Sequence, residues 1–114
     1  MISPEKIKQL IAQGENLALE FKREDVTADS VAKEMVAFAN AGGGILLIGI
    51  EDDGQLSGIL NAKIDEAWAV NIARNNIIPA LNIMTSFVKV DEKNILLIEV
   101  PKGKDKPYQT KRLF

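Results

Sequence analysis

The sequence predicts an α/β (α+β) fold: a single compact domain in which a mixed β-sheet of about five strands with hairpins is packed by about three helices. Three observations predict it. Amphipathic stretches at helical spacing are interleaved with alternating or continuous apolar runs of strand length. Gly, Pro and Asp-Gly punctuate the boundaries, with no repeat, linker or low-complexity block between them. Finally, a chain of 114 residues that is 46% apolar and 26% charged is the size and composition of one ordinary domain.

Taken in order, Ser3-Pro4-Glu5 starts a helix: a serine cap, a proline whose missing N–H costs nothing in the first turn, and an acid at the positive dipole end. Ile7, Leu10 and Ile11 form its apolar stripe and Gly14 stops it. From Leu17 the period becomes two, with Leu17, Leu19 and Phe21 on one face of a half-buried strand and Ala18, Glu20 and Lys22 on the other. Thr27 or Asp29 caps a second helix carried by Val31, Met35, Phe38 and Ala39. Asn40 and Gly42-Gly43-Gly44 then lead into Ile45–Ile50, a continuous apolar run that reads as a central strand. Asp53-Gly54 predicts a hairpin turn with Gln55–Ile59 as the returning strand. Ile64, Trp68 and Ile72 share one side of a third helix over about 65–75, ahead of Pro79. Ile83–Val90 and Ile95–Val100 flank Asp91-Glu92-Lys93-Asn94 as a second hairpin, and a lysine-rich polar segment follows. The expected order is α-β-α-β-β-α-β-β.

The composition excludes several classes of chemistry. With no Cys and no His, disulfides, thiolate nucleophiles, the usual zinc sites and Ser-His-Asp or Cys-His arrangements are absent. Any metal must be held by oxygen, which means magnesium, calcium or manganese. The longest apolar run, Ile45–Ile50, is too short to span a bilayer and no charged-then-apolar leader opens the chain, so a cytoplasmic protein without membrane contact is expected. The net charge of −2 hides an asymmetry: residues 1–100 hold 9 Lys/Arg against 15 Asp/Glu, whereas 101–114 hold 5 against 1. Such a segregated basic segment suits a polyanion, and a solvated tail has the same composition.

Four constellations could carry function. Glu15 and Glu20, five apart with Lys22 beside the second, either hold a divalent cation or form solvent-facing ion pairs. Ala37–Gly44 places glycines after a helix and before a strand, the reverse of a phosphate cradle, so it is a tight connection and not a nucleotide site. Glu51-Asp52-Asp53-Gly54 is a turn-forming acidic segment that could complete an oxygen-ligand cluster with Glu15 and Glu20. Lys102, Lys104, Lys106, Lys111 and Arg112, with Tyr108 among them, suit phosphates and a stacked base.

In order, Leu19-Glu20-Phe21-Lys22, Ala37-Phe38-Ala39-Asn40-Ala41-Gly42-Gly43-Gly44 through Ile50, and Asp52-Asp53-Gly54-Gln55-Leu56-Ser57-Gly58 closely resemble the Schlafen/AlbA-type DNA-binding domain. Ile78-Pro79 and Lys106-Pro107-Tyr108 also stand where that pattern has them. The resemblance implies a module at the front of larger bacterial transcriptional regulators or helicase-related proteins. It also implies that this chain, ending at Phe114 where the pattern continues, is an N-terminal fragment with further domains in the parent protein. In the Schlafen ribonucleases two glutamates five apart and a later aspartate form a metal-dependent RNA-cleaving centre, which implies Glu15 and Glu20 as the matching residues here, with Asp52 as the best candidate for the third position, Asp53 or Glu51 close behind, and Mg or Mn as the metal. Two departures stand against that reading: a zinc site is not available without Cys or His, and the paired second lobe of those enzymes would have to come from a homodimer.

The expected function is therefore nucleic-acid binding, with DNA preferred to RNA and no cofactor, through Lys22, Lys102, Lys104, Lys106, Tyr108, Lys111 and Arg112. The alternatives are a metal-dependent endoribonuclease using Glu15, Glu20 and Asp52, and a protein-interaction or dimerisation domain, for which the acidic first hundred residues argue.

Overall fold

A computed structural model describes residues 2–111. Helix α1 (Pro4–Gln13) starts as the sequence predicts, with the Ser3 hydroxyl accepting from the Lys6 N–H at 3.1 Å. Strand β1 (Leu19–Lys22) leads to α2 (Ala28–Asn40), capped by Thr27 rather than Asp29, and then to β2 (Gly44–Ile48). Helix α3 (Glu66–Asn75), capped by Asp65, precedes the short β3 (Ile77–Ile78). The hairpin of β4 (Met84–Val90) and β5 (Lys93–Val100) follows, and β6 (Gln109–Thr110) closes the described chain.

Four strands form one mixed sheet in the order β1-β2-β5-β4, with β1 parallel to β2 and the other pairs antiparallel. The alternation of each strand sorts its side chains between two cores. Leu46, Ile48, Leu96 and Ile98 face α2 and α3, where Val31, Met35, Phe38 and Ile72 complete the larger cluster. Leu19, Phe21, Leu47, Ile95 and Leu97 face α1, which contributes Ile7 and Leu10. The sheet is therefore covered on both faces, as the unbroken apolar run of β2 requires. Among the described residues no helix is long and apolar enough to cross a membrane.

Three expectations are corrected. The first strand begins at Leu19, because Asn16 and Leu19 exchange backbone hydrogen bonds across a tight turn (3.0 and 3.2 Å) and the Asn16 side chain accepts from the Ala18 N–H. Leu17 is consequently 98% exposed at the tip of that turn rather than in the core.

Second, the Asp53-Gly54 turn forms, but the returning strand Gln55–Ile59 does not. Pairing stops at the single bridge Ile50–Leu56. The Gly49 carbonyl then accepts from both Ser57 and Gly58, and Gly58 sits at φ +78°, which bends the chain out of extended geometry. Among the described residues the main sheet therefore has four strands, and a separate pair, β3-β6, gives the lysine-rich end a short strand of its own.

Third, the second hairpin turns on two residues. Asp91 and Glu92 occupy the left-handed region at φ 47° and 67°, so Lys93 and Asn94 already belong to β5.

Candidate functional site

Of the three acids of the cleavage reading, Glu15 and Glu20 are neighbours and Asp52 does not join them. Glu15 uses its Oε2 atom to accept from the Phe21 N–H at 2.8 Å, which pins the approach to β1. Glu20 lies on the α2 side of β1, since its register partner Leu46 faces that core. Its carboxylate is 3.6 Å from the Lys22 ammonium. Partial burial, followed by the neighbouring Glu34 and Glu15 carboxylates, raises the Glu20 pKa above its ordinary value, and Lys22 only partly offsets them. Asp52 belongs to a different neighbourhood, in the turn beyond β2, where the nearby cation is Arg23. That guanidinium is held by Asp25 at 2.7 Å and approaches Glu51 at 3.9 Å. Among the described residues no three carboxylates are grouped so as to hold a metal ion. The residues present therefore do not fit the metal centre that the resemblance implies, because Asp52 does not join Glu15 and Glu20.

The basic segment is arranged differently. Lys102, Lys104, Lys106 and Lys111 are exposed, and among the described residues none of them makes an ion pair. Yet the backbone that carries them is fixed. Asn40, the last residue of α2, accepts from the Tyr108 N–H at 2.7 Å and donates to the Tyr108 carbonyl at 3.0 Å, so one side chain imitates a strand partner. Gly103 N–H donates to the Ala39 carbonyl at 2.9 Å, and Lys111 N–H to the Asn76 carbonyl at 2.8 Å. Between these points β6 pairs with β3, Thr110 opposite Ile77 and Gln109 opposite Ile78.

Tyr108 is the plug of this arrangement. Only 7% exposed, it belongs to the larger core, and its hydroxyl accepts from the Asp105 N–H at 3.2 Å. A Cβ on Gly103 would strike the tyrosine ring. The ring is thus held in the interior instead of being presented to a base, and its structural work is to hold the lysine-bearing loop. Arg112 lies outside the described residues, and Lys22, half-buried and beside Glu20, stands apart with a partnered charge.

The glycine-rich connection after α2 serves the same anchor. At Gly43, with φ +89°, a Cβ would come within 2.8 Å of the Val100 carbonyl and 2.9 Å of the Lys102 N–H; on Gly44 it would strike the Phe38 ring. Ala39-Asn40-Ala41-Gly42-Gly43-Gly44 is therefore a clasp for Val100–Tyr108, not a phosphate cradle. The segment also walls a groove of about 300 Å³ against Ala80, Leu81 and Asn82. Sequence reasoning missed the Asn40–Tyr108 clasp. The available signal was an asparagine, a residue with both a donor and an acceptor on one amide, at the end of a helix and followed by glycines.

Comparison with known proteins gives a consistent result. The family model described as Schlafen, AlbA_2 matches residues 15–113. Among solved structures, the chain is similar to the N-terminal domain of a protein from Nitrosomonas europaea described as related to the ATP-dependent DNA helicase RecG. The identity is 25% and the TM-score 0.71, over 98% of this chain and 82% of that one. It also shares its fold with the DIP2311 protein from Corynebacterium diphtheriae, at 20% identity and TM-score 0.66, over 93% of this chain but 23% of that one. A search of curated proteins finds no match. With ninety-odd consecutive residues matched, spanning the clasp, both acidic segments and the lysine-bearing loop, the chain belongs to the Schlafen, AlbA_2 family.

Proposed function

We propose that this domain is a nucleic-acid-binding module, a DNA-binding part of a bacterial transcriptional regulator. In this reading Lys102, Lys104, Lys106 and Lys111 bind phosphates, Arg112 extends the same charge, and Lys22 adds a weaker interaction. The observation that carries the reading is the combination at 101–111: exposed lysines that make no ion pair among the described residues, on a backbone fixed by Asn40, Ala39 and Asn76. Free cations on a pre-ordered loop release counterions from a polyanion without the cost of ordering the loop at the moment of binding. The N-terminal domain from the protein described as RecG-related supports a nucleic-acid setting. The nuclease alternative lacks this kind of support, since its third acid is placed elsewhere.

The test is equilibrium binding to duplex DNA and to single-stranded RNA, by fluorescence anisotropy across a salt series. The wild-type chain should bind duplex DNA with a salt-dependent constant. In the Lys104→Ala, Lys106→Ala variant the slope of log K against log salt should fall by about 1.8, near 0.9 for each phosphate that is no longer neutralised. An unchanged constant and slope would remove the basic segment from the interface. Manganese-dependent cleavage of either nucleic acid that disappears with Glu20→Ala would replace the binding reading altogether.

A further inference from the structure

We propose that the outer edge of β4 binds a second copy of this chain, the two edge strands pairing antiparallel about a twofold axis at Phe87. The first support is the direction of the backbone groups. Ile45 and Gly49 donate to Ala18 and Lys22 on the β1 side, so Gly44, Leu46 and Ile48 bond toward β5. Their partners Val100, Ile98 and Leu96 face β2, which leaves Glu99, Leu97, Ile95 and Lys93 to bond to Met84, Ser86, Val88 and Val90. Thr85, Phe87 and Lys89 must then aim their N–H and C=O groups at the open edge. The two-residue turn at Asp91-Glu92 gives the same assignment, because the residues flanking such a turn, Val90 and Lys93, form a hydrogen-bonded pair. Among the described residues none of the three outward positions bonds to backbone elsewhere.

The second support is the contrast between the two edges of the sheet. Edge β1 has four residues, a length too short to template much pairing. Edge β4 has seven, with Met84 68% and Phe87 41% exposed. Lysine on an edge usually guards against pairing, and Lys89 would do so here unless its charge were met. In the symmetric register that uses all three outward residues, Phe87 faces Phe87 of the second copy and Lys89 faces its Thr85. The Thr85 hydroxyl donates to Glu66 at 2.6 Å, so each lysine arrives beside a carboxylate. Phe87 borders a shallow groove with Asp65, Glu66 and Ala67, into which the opposing ring fits. On the other side Met84 lies opposite Val90. This self-complementarity in hydrogen bonds, charge and apolar surface selects a second copy over a foreign strand.

Sedimentation equilibrium of the chain should show a reversible dimer. Phe87→Pro removes an outward N–H without taking a hydrogen bond from β5, so it should weaken dimerisation at least about tenfold while the circular dichroism spectrum is kept. Lys89→Glu and Glu66→Lys should each be monomeric at concentrations where the wild-type chain is paired. An equal mixture of the two should recover the dimer, because each variant carries the charge the other lacks. A wild-type chain monomeric up to about 1 mM would overturn the proposal. So would a dimer indifferent to Phe87→Pro, or a mixture that stays monomeric. If Phe87→Pro fails to fold, the charge-exchange mixture decides alone.

Discussion

Two regions of this domain are dense in charge, one acidic and one basic, and they behave differently in the structure. Of the acids, Glu15 accepts from a backbone N–H and Glu20 lies between Lys22 and the carboxylates of Glu15 and Glu34, whereas Asp52 sits in another neighbourhood near Arg23. Among the described residues the lysines of 101–111 make no ion pair, while the chain beneath them is tied down by Asn40, Tyr108 and the β3-β6 pair. A cluster of charges close in sequence is therefore a weak indicator of a site. What distinguishes an interface is backbone order together with charges that the fold itself does not use.

The contrast can be broken most severely at its anchor. Tyr108→Ala should destabilise the domain by about 3–5 kcal/mol through loss of a buried aromatic side chain, with a lowered denaturant midpoint as the measurement. It should also free the lysine loop. Asn40→Ala is the cleaner version. It leaves the Tyr108 backbone pair without its side-chain partner, at a cost of about 1–3 kcal/mol, and should weaken DNA binding although no charge changes. Faster amide hydrogen exchange at Gly103 and Lys111 would report the released segment. Removing charge and keeping the anchor does the opposite: Lys104→Ala with Lys106→Ala should alter binding and leave the thermal midpoint within error, since both side chains are exposed and unpaired among the described residues.

The smallest effect belongs to the acidic region. The folded-state pKa of Glu20 is raised, so folding favours its protonated form. That contribution is fully present below the unfolded pKa and is lost as pH rises through the folded value. Glu20→Gln should therefore stabilise the domain slightly near neutral pH, and the advantage should vanish as pH falls through the ordinary carboxylate range, as followed by melting temperature against pH.

Most of the fold was legible because it is written locally. Ser3-Pro4-Glu5, the Val31–Ala39 stripe, Ile45–Ile50 and the Ile83–Val100 hairpin each contain their own period and boundary signals, and each forms the element expected. Failures came where a distant or short-range hydrogen bond overrode the pattern. Leu17 continued the alternation of Leu19 and Phe21, but the Asn16 side chain closed a turn first. Gln55–Ile59 had strand composition, but the Gly49 carbonyl captured two of its N–H groups. The clasp between Asn40 and Tyr108 joins residues 68 apart, and no periodicity within a window can express such an interaction. The lysines were legible as candidates from charge alone, whereas the order of the loop that carries them depends on that long-range clasp.

The most direct test of the central contrast is an NMR titration of the labelled chain with a short DNA duplex, read at each backbone amide. Shifts concentrated at 101–111 and at Asn40, with the amides of Glu15, Glu20 and Asp52 unmoved, are the expected result. Shifts centred on Glu15–Lys22 and the 51–54 turn, with 101–111 silent, would contradict it and return the acids to the functional role.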